Sequence, residues 1–301
     1  MELRLQLHFH TTKSLGTRID IESIIKPKQA VDILAKNNID VVAVTDHDTT
    51  KGCSVMRKYA EKKGILVING IEFSTADGHL IGLGIDEGIE KKFNRNMTAS
   101  ETVDIIKDND GVVYIPHPFD IKKEGIGVKV KEIDGIIEVF NPFNIFGFED
   151  RFADIAAHKL ERPRAVGGDA HIPGMITSGI TVIDSEIDEL SILKTLRKGK
   201  TTFEDCRYIT LDEIKEWSLD RINSSYDSIM ENILENWFVD SWYMNLANLK
   251  LFKFIEKGLL RAATNKRESK FWDLFAKTSY QVANFYAHMS IREFSKFTFT
   301  L

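Results

Sequence analysis

Histidines and carboxylates recur in this sequence directly after short apolar runs. His8-Phe9-His10 ends the first run, Asp46-His47-Asp48 follows the second, and Asp169-Ala170-His171 comes after a late one. Because side chains two apart on a strand share a face, the two histidines of the first motif point the same way. Imidazole and carboxylate ligands without thiolates are typical of zinc, manganese or iron sites that keep open positions for water and substrate. The pattern predicts a metal-dependent enzyme.

Three further candidates lie at the ends of other apolar runs. Glu72 ends the third run, His79 opens the run 80–84, and His117 follows the run 112–115. One such histidine alone is more often a hydrogen-bonded core residue than a metal ligand, and a lone His-x-His occurs by chance in many chains. The whole set in strand order favours a metal site over a purely structural explanation.

The elements that must position these residues form a regular alternation. Up to about residue 207, short apolar runs alternate with amphipathic stretches, which is typical of β/α units. We predict strands at Glu2–His10, Asp40–Thr45, Ile65–Ile71, Leu80–Ile85, Val112–Ile115, Gly135–Phe140, Ala165–Gly167 and Gly179–Ile183. We predict helices at Pro27–Asn37, Thr50–Lys63, Ser100–Asn109, Glu149–Leu160 and Asp188–Lys198. About eight strands favour a (β/α)-type barrel, in which the strand ends converge at one mouth.

The composition changes after residue 207. Residues 215–301 contain all four tryptophans and 17 of the 30 aromatic residues. Apolar residues recur there every three or four positions, which predicts helices at Leu211–Asn236, Trp242–Arg261 and Ser269–Met289. We therefore divide the chain into a barrel, residues 1–207, and an aromatic-rich helical region, residues 208–301. That region is expected to pack on the barrel or to form the interface of a homo-oligomer.

Charge and composition limit the partners and the compartment. The formal net charge of −5 is not typical of a nucleic-acid-binding protein. A basic helical face is nevertheless predicted in the C-terminal region, where a solvated surface is favoured over binding to nucleic acid or lipid; it comprises Lys250, Lys253, Lys257 and Arg261. No apolar run is long enough to cross a bilayer, no secretory signal opens the chain, and the two cysteines are expected to be reduced. These features predict a cytoplasmic protein without a transmembrane segment.

The ordered motifs resemble those of the PHP (polymerase and histidinol phosphatase) superfamily over about residues 1–205. The matching residues are His8-x-His10 with Ser14 and Gly16, Thr45–Asp48, Gly70–Ser74, His79–Gly84, His117-Pro118 and Gly168–His171. The resemblance implies a distorted (β/α)7 TIM-like barrel, two or three metal ions, and in most members phosphoesterase activity. In the nucleotide-phosphatase and exonuclease branch of the superfamily, a helical insertion lies between the segments that match His79 and His117. That insertion is absent here. The chain therefore looks like a short-barrel member with an extra C-terminal helical region.

The resemblance also implies which residues hold the metals. One ion is expected to be held by His8, His10, Glu72 and Asp169. Glu72 is expected to bridge to a second ion, which is also held by His79 and His117. His47 and His171 belong to the third site of the family pattern.

That third site departs from the family pattern. Leu15 stands where small phosphatases and nucleases of the family have an aspartate ligand, and leucine cannot ligate. We expect two ions of zinc, manganese or iron, with a third only if Asp20, Asp48 or the substrate completes the shell. His47 and His171 are then expected to contact the phosphate or the leaving-group oxygen, with Asp46 orienting an imidazole.

The expected activity is hydrolysis of a phosphate ester, in a small phosphorylated metabolite or a nucleotide, by a hydroxide that bridges two metals. One alternative is a nuclease or cyclic phosphodiesterase of the same family. Another is a catalytically weak barrel that serves as a binding or regulatory module. The presence of every ligand of the first two sites argues against that last alternative.

Overall fold

The computed structural model describes residues 1–15, 22–120 and 124–224, in which it contains nine strands and six α-helices. The strands are β1 (Glu2–Gln6), β2 (Val41–Val44), β3 (Leu66–Thr75), β4 (Gly78–Leu83), β5 (Val112–Ile115), β6 (Ile136–Glu138), β7 (Arg164–Ala165), β8 (Ile180–Asp184) and β9 (Thr202–Glu204). The helices are α1 (Pro27–Lys36), α2 (Lys51–Ala60), α3 (Ala99–Lys107), α4 (Phe148–Lys159), α5 (Glu189–Arg197) and α6 (Leu211–Ser224).

All nine strands belong to one sheet, in the order β7-β6-β5-β4-β3-β2-β1-β8-β9. The neighbours from β1 to β3 are parallel, as are those from β5 to β7. Strand β4 is antiparallel to both β3 and β5, and β8 and β9 extend the sheet beyond β1 in antiparallel pairing. The parallel strands place their carboxyl ends at one edge.

The chain beyond β7 turns this sheet into a nearly closed barrel. Ala170 forms a parallel bridge with Phe9, and the amide of His10 donates to the carbonyl oxygen of Ala170 at 3.1 Å. The amide of Gly168 donates to the side-chain oxygen of Gln6 at 2.8 Å. These contacts bring the residues after β7 beside those after β1, so the first and last histidine motifs become neighbours. An α/β barrel-like fold is therefore confirmed.

Local sequence signals explain where the helices begin and what they bury. Pro27 occupies the first turn of α1, where a missing amide costs nothing, and Ala30, Val31 and Leu34 face the core. Thr98 and Glu101 form a capping box at the start of α3, in which each side chain accepts from the other residue's amide. The helices thus cover the sheet and leave its carboxyl edge open for the histidine motifs.

The observed strands differ from the predicted ones in three respects. The regular pairing of β1 ends at Gln6 rather than His10, and of the residues that follow Phe9 forms only an isolated bridge with Ala170. Strand β3 continues to Thr75, beyond the predicted Ile71, and forms a hairpin with β4 that pairs Thr75 with Gly78. A ninth strand, β9, was not predicted.

Helix α6 is the described portion of the aromatic-rich C-terminal region. The indole Nε1–H of Trp217 donates to the carbonyl oxygen of Glu22 at 2.7 Å, so this helix packs on the barrel. The rest of the predicted helix 211–236, the two later helices and the basic face at 250–261 lie outside the described residues. The division at 207/208 and the homo-oligomer stay predictions. Within the described ranges, no helix has the length and apolarity that crossing a bilayer requires.

Candidate metal centre

The first histidine motif places two imidazoles on the inner side of the barrel mouth. His8 and His10 follow β1 and are fully buried, with ring centroids 5.2 Å apart. Phe9, between them, is buried in the core on the other side of the chain. Beside them, His47 after β2 forms a parallel bridge with Glu72 of β3. The spacing of two residues between His8 and His10 thus directs both imidazole rings to one point, as the sequence predicts.

Glu72 lies at the centre of the cluster. Its Oε2 is 3.2 Å from Nε2 of His8 and 3.2 Å from Nε2 of His10. Its Oε1 is 3.0 Å from Nδ1 of His79 and 3.2 Å from Nε2 of His117. Nε2 of His47 also lies 3.4 Å from Oε2. One buried carboxylate therefore joins two sets of imidazoles, three at one oxygen and two at the other.

The loop after β7 supplies the remaining members. Oδ1 of Asp169 is 3.4 Å from Nε2 of His8, 3.4 Å from Nε2 of His10 and 3.3 Å from Nδ1 of His171. The His10 ring stacks on the ring of His171 at 4.3 Å and on that of His47 at 4.8 Å. The structure thus brings all eight residues predicted for the metal sites into one cluster: His8, His10, His47, Glu72, His79, His117, Asp169 and His171.

The backbone is unusual at several of these positions. His117 has a φ of 27°, Asp169 has a φ of 43°, and Asp48 has a φ of 50°. Non-glycine residues seldom adopt positive φ, and the cost is of order 1–3 kcal/mol for each. Such conformations persist where the surrounding structure enforces them, and at His117 and Asp169 they direct ligand-type side chains into the mouth.

The donor set fits divalent cations. Ligand atoms of three residues lie within 4.8 Å of one another in each of four groups: His10, His47, His171; His8, His10, Glu72; His8, His117, Asp169; and His47, Glu72, His79. Nε2 of His10 is buried without a hydrogen-bond partner among the described residues, although two carboxylate oxygens are near it. A lone pair aimed at a shared centre, instead of a hydrogen bond, is what a metal ligand requires.

The charges of the cluster are strongly coupled. Despite burial, the surrounding imidazoles hold the pKa of Glu72 and of Asp169 well below the ordinary values. Burial opposes protonation of His10 and His117, but the nearby carboxylates of Glu72 and Asp169 outweigh it and raise each pKa to about 9. Burial lowers the pKa of His47 to about 3. Since cations and protons compete for imidazole nitrogens, cation uptake would release protons.

Glu138, at the end of β6, orients the cluster and was not predicted. Its Oε1 accepts from the Tyr114 hydroxyl at 2.8 Å and from Nδ1 of His8 at 3.0 Å. Its Oε2 accepts from the His117 amide at 2.8 Å and from Nδ2 of Asn141 at 2.9 Å. The bond to His8 leaves Nε2 of that ring free to ligate. The one signal in the sequence is a carboxylate inside the apolar run 135–140.

Asp46 has a different role from the predicted one. Its carboxylate accepts from the amide of Thr11 at 2.5 Å and from the Thr11 hydroxyl at 2.7 Å, and it orients no imidazole of the cluster. Asp48 likewise turns away, and it accepts from the amide of Ser74 at 2.8 Å and from Nε of Arg95 at 2.7 Å. Both aspartates follow β2 closely, and the donors nearest to their carboxylates are backbone amides and loop side chains. Asp46 fixes the turn after His10.

Glu22 and Trp217 also reach the mouth, and neither was predicted there. Oε2 of Glu22 is 3.3 Å from Nε2 of His47. The Trp217 ring lies 5.2 Å from the His171 ring and 5.2 Å from the Phe143 ring. Helix α6 thus forms one wall of the mouth.

Comparison with known proteins identifies the family of the chain. A family model described as PHP-associated matches residues 148–201. The chain is 30% identical over 156 residues to an uncharacterised protein of Methanocaldococcus jannaschii, a match that covers 50% of this chain and 89% of that relative. It is 34% identical over 88 residues to a phosphoribosyl 1,2-cyclic phosphate 1,2-diphosphodiesterase of Eggerthella lenta. The chain belongs to the PHP superfamily.

A solved structure shares the PHP fold. It is a two-domain protein from Bacteroides vulgatus described as containing a predicted PHP-like metal-dependent phosphoesterase. The similarity has a TM-score of 0.57 at 16% identity and covers 72% of this chain and 69% of that one. The match to the Eggerthella diphosphodiesterase covers 27% of this chain and 31% of the relative, so it spans about a third of that protein.

Proposed function

We propose that this chain is a metal-dependent phosphoric ester hydrolase that acts on a small phosphorylated metabolite or a nucleotide. The observation that carries the proposal is the single buried carboxylate of Glu72, whose two oxygens face two different sets of imidazoles. A carboxylate shared in this way is the arrangement expected of a bridging ligand between two cations.

These contacts support the two ligand sets that the resemblance implies. The first comprises His8, His10, Glu72 and Asp169. The second comprises Glu72, His79 and His117. Zinc, manganese or iron bound there would lower the pKa of a coordinated water and offset the negative charge of a phosphate ester. Oxygen and nitrogen ligands without sulfur suit all three metals.

The protein's own residues contribute orientation and exclusion of bulk water. Glu138 fixes the tautomer of His8 through the bond to Nδ1, and the carbonyl of Asp169 accepts from Nδ1 of His171 at 2.8 Å. In both rings Nε2 is left to face the mouth. His47 and His171 line the side near α6, where they can contact the phosphate or the leaving-group oxygen directly or as ligands of another cation.

A diesterase activity is the second candidate, since the Eggerthella relative is named a cyclic phosphate diphosphodiesterase. The two candidates share the same two-cation chemistry. They differ in whether the substrate carries one or two ester bonds at phosphorus, and nuclease activity is a special case of the second.

The test is to purify the protein with its metals retained, count the ions, and screen phosphomonoesters, phosphodiesters and short oligonucleotides. His10→Ala is expected to lose metal and turnover together. His158→Ala is the matched control, because this imidazole lies in α4 with 64% of its side chain exposed and is expected to change neither. Metal-loaded protein that hydrolyses none of the three classes, or a His10→Ala variant that keeps its turnover, would contradict the proposal.

A further inference from the structure

Asp169 uses its two carboxylate oxygens differently. Its Oδ1 faces three imidazoles of the cluster at 3.4, 3.4 and 3.3 Å, those of His8, His10 and His171. Its Oδ2 instead accepts a hydrogen bond from Nδ2 of Asn141 at 3.2 Å. Both residues are buried, with 7% of Asp169 and 1% of Asn141 exposed. One oxygen of this carboxylate is therefore already occupied by a neutral donor.

The side-chain amide of Asn141 has one orientation that fits its neighbours. Its Nδ2 also donates to Oε2 of Glu138 at 2.9 Å, and its Oδ1 accepts from the backbone amide of Phe143 at 2.9 Å. A half-turn of the amide would point Oδ1 at two carboxylates and NH₂ at a backbone donor, so all three contacts would become repulsive. The two hydrogens of the NH₂ group are thus committed, one to each acidic residue.

Backbone contacts fix the connection between β6 and α4, which carries Asn141. The Asn141 amide donates to Oδ1 of Asp150 at 3.2 Å, and its carbonyl oxygen accepts from the amide of Asn144 at 3.0 Å. The carbonyl oxygen of Pro142 accepts from the amide of Ile209 at 3.0 Å. The connection is therefore bound to α4 on one side and to the segment before α6 on the other, and the NH₂ group is held in place.

Without such a donor, a carboxylate can offer both oxygens to one cation. Carboxylates bind divalent ions through either one oxygen or two. A second oxygen takes up a coordination position that catalytic sites keep open for water or substrate. If Oδ2 of Asp169 turned to a cation, it would leave a buried hydrogen of Asn141 unpaired, which is unfavourable. The hydrogen bond therefore favours coordination through Oδ1 alone.

We propose that Asn141 is a positioning residue that limits Asp169 to one ligand oxygen and so preserves an open coordination position. This inference rests on the proposed cation binding by the cluster. Asn141 is not a ligand itself and acts through Asp169. Its other hydrogen acts through Glu138, which orients His8. One amide group thus sets the ligand atoms of two residues of the same proposed ligand set.

The test is the visible absorption of stripped protein loaded with Co²⁺, whose intensity falls as the coordination number rises. In Asn141→Ala, Oδ2 of Asp169 loses its donor and joins the ion. We expect unchanged ion binding, weaker absorption and at least about tenfold slower phosphoester hydrolysis. Asn141→Asp keeps the bond from Phe143 but also removes the donor, and it should lose absorption as well. Asn144→Ala is the matched control, because Asn144 donates to Asp150 at 2.6 Å rather than to a carboxylate of the cluster, and it should keep the wild-type spectrum.

A crystal structure of the Zn²⁺-loaded wild type decides the matter even if both Asn141 variants fail to fold. We expect Oδ1 of Asp169 at about 2.0–2.2 Å from the ion, with Oδ2 still within hydrogen-bond distance of Nδ2 of Asn141. Both oxygens at the ion, or a wild-type spectrum in the two Asn141 variants, would overturn the inference. A loaded wild type with one Asp169 oxygen at the ion but without hydrolysis refutes only the proposed activity.

Discussion

Replacement of Glu138 by glutamine tests how the cluster is oriented. The carboxylate accepts four hydrogen bonds, two at each oxygen. A glutamine amide must turn its NH₂ group toward one of the two pairs of donors. The pair at Oε2 includes the backbone amide of His117, which cannot accept. The NH₂ group therefore faces the pair at Oε1, where the Tyr114 hydroxyl can rotate to accept and His8 must accept on Nδ1.

The cost follows from this exchange. The substitution replaces two hydrogen bonds to a buried carboxylate, each of which contributes about 1.5–3 kcal/mol to stability. Because glutamine is neutral, the cost of burying a charge disappears, and this offsets part of the loss. We expect the stripped protein to lose about 3 kcal/mol of unfolding free energy. His8 would then carry its proton on Nε2, the atom that faces Glu72, so metal affinity should fall at least 10–100-fold.

The assay is urea unfolding of stripped protein together with competition for Zn²⁺ against a chelator. Glu132→Gln is the matched control, since Glu132 is exposed on the connection between β5 and β6 and should change neither quantity. A Glu138→Gln protein that binds metal within twofold of the wild type and unfolds within about 0.5 kcal/mol of it would show that this network does not set the tautomer of His8.

Two further predictions concern acid–base behaviour and packing. In stripped protein, the pKa values of His10 and His117 are raised to about 9, so their contribution to stability is complete below pH 6.5 and disappears as the pH rises through 9. Urea unfolding should therefore show lower stability at pH 9 than at pH 6.5, and equal or higher stability at pH 9 would count against these shifts. In Gly52→Ala, the new Cβ would clash with Oδ2 of the buried Asp46, so we expect a net loss of about 1–3 kcal/mol despite the better helix propensity of alanine. Ser54→Ala, at an exposed position of the same helix, should be neutral or slightly stabilising, and thermal unfolding of the two variants distinguishes the clash from propensity.

Much of the barrel follows from local patterns in the sequence. Strand β5 has the predicted bounds, Val112–Ile115, because it is a short apolar run between a helix and a proline. Strand β3 continues to Thr75 beyond the predicted Ile71, since pairing with β4 in the hairpin extends it. Strand β9, Thr202–Glu204, has little apolar content, and pairing with β8 rather than its own sequence makes it a strand.

Some residues of the candidate site could likewise be predicted from local sequence, and others could not. The eight ligand-type residues could be predicted because spacing and strand ends determine where they point. Glu138 and Glu22 could not, since their roles depend on side chains that are distant in sequence and meet only in the closed barrel. Asp46 shows the converse, because its place after β2 was predicted correctly but its partner, Thr11, was not.

The central claim is that Glu72 joins two cation sites that perform phosphoester hydrolysis. The most direct measurement adds Zn²⁺ or Mn²⁺ stepwise to stripped protein and records bound ions and hydrolysis of a phosphate ester on the same samples, for the wild type and Glu72→Gln. We predict that hydrolysis appears as the second ion binds to the wild type, and that Glu72→Gln fails to retain the pair and stays inactive. Hydrolysis by stripped protein, or two tightly bound ions and full turnover in Glu72→Gln, would contradict the account.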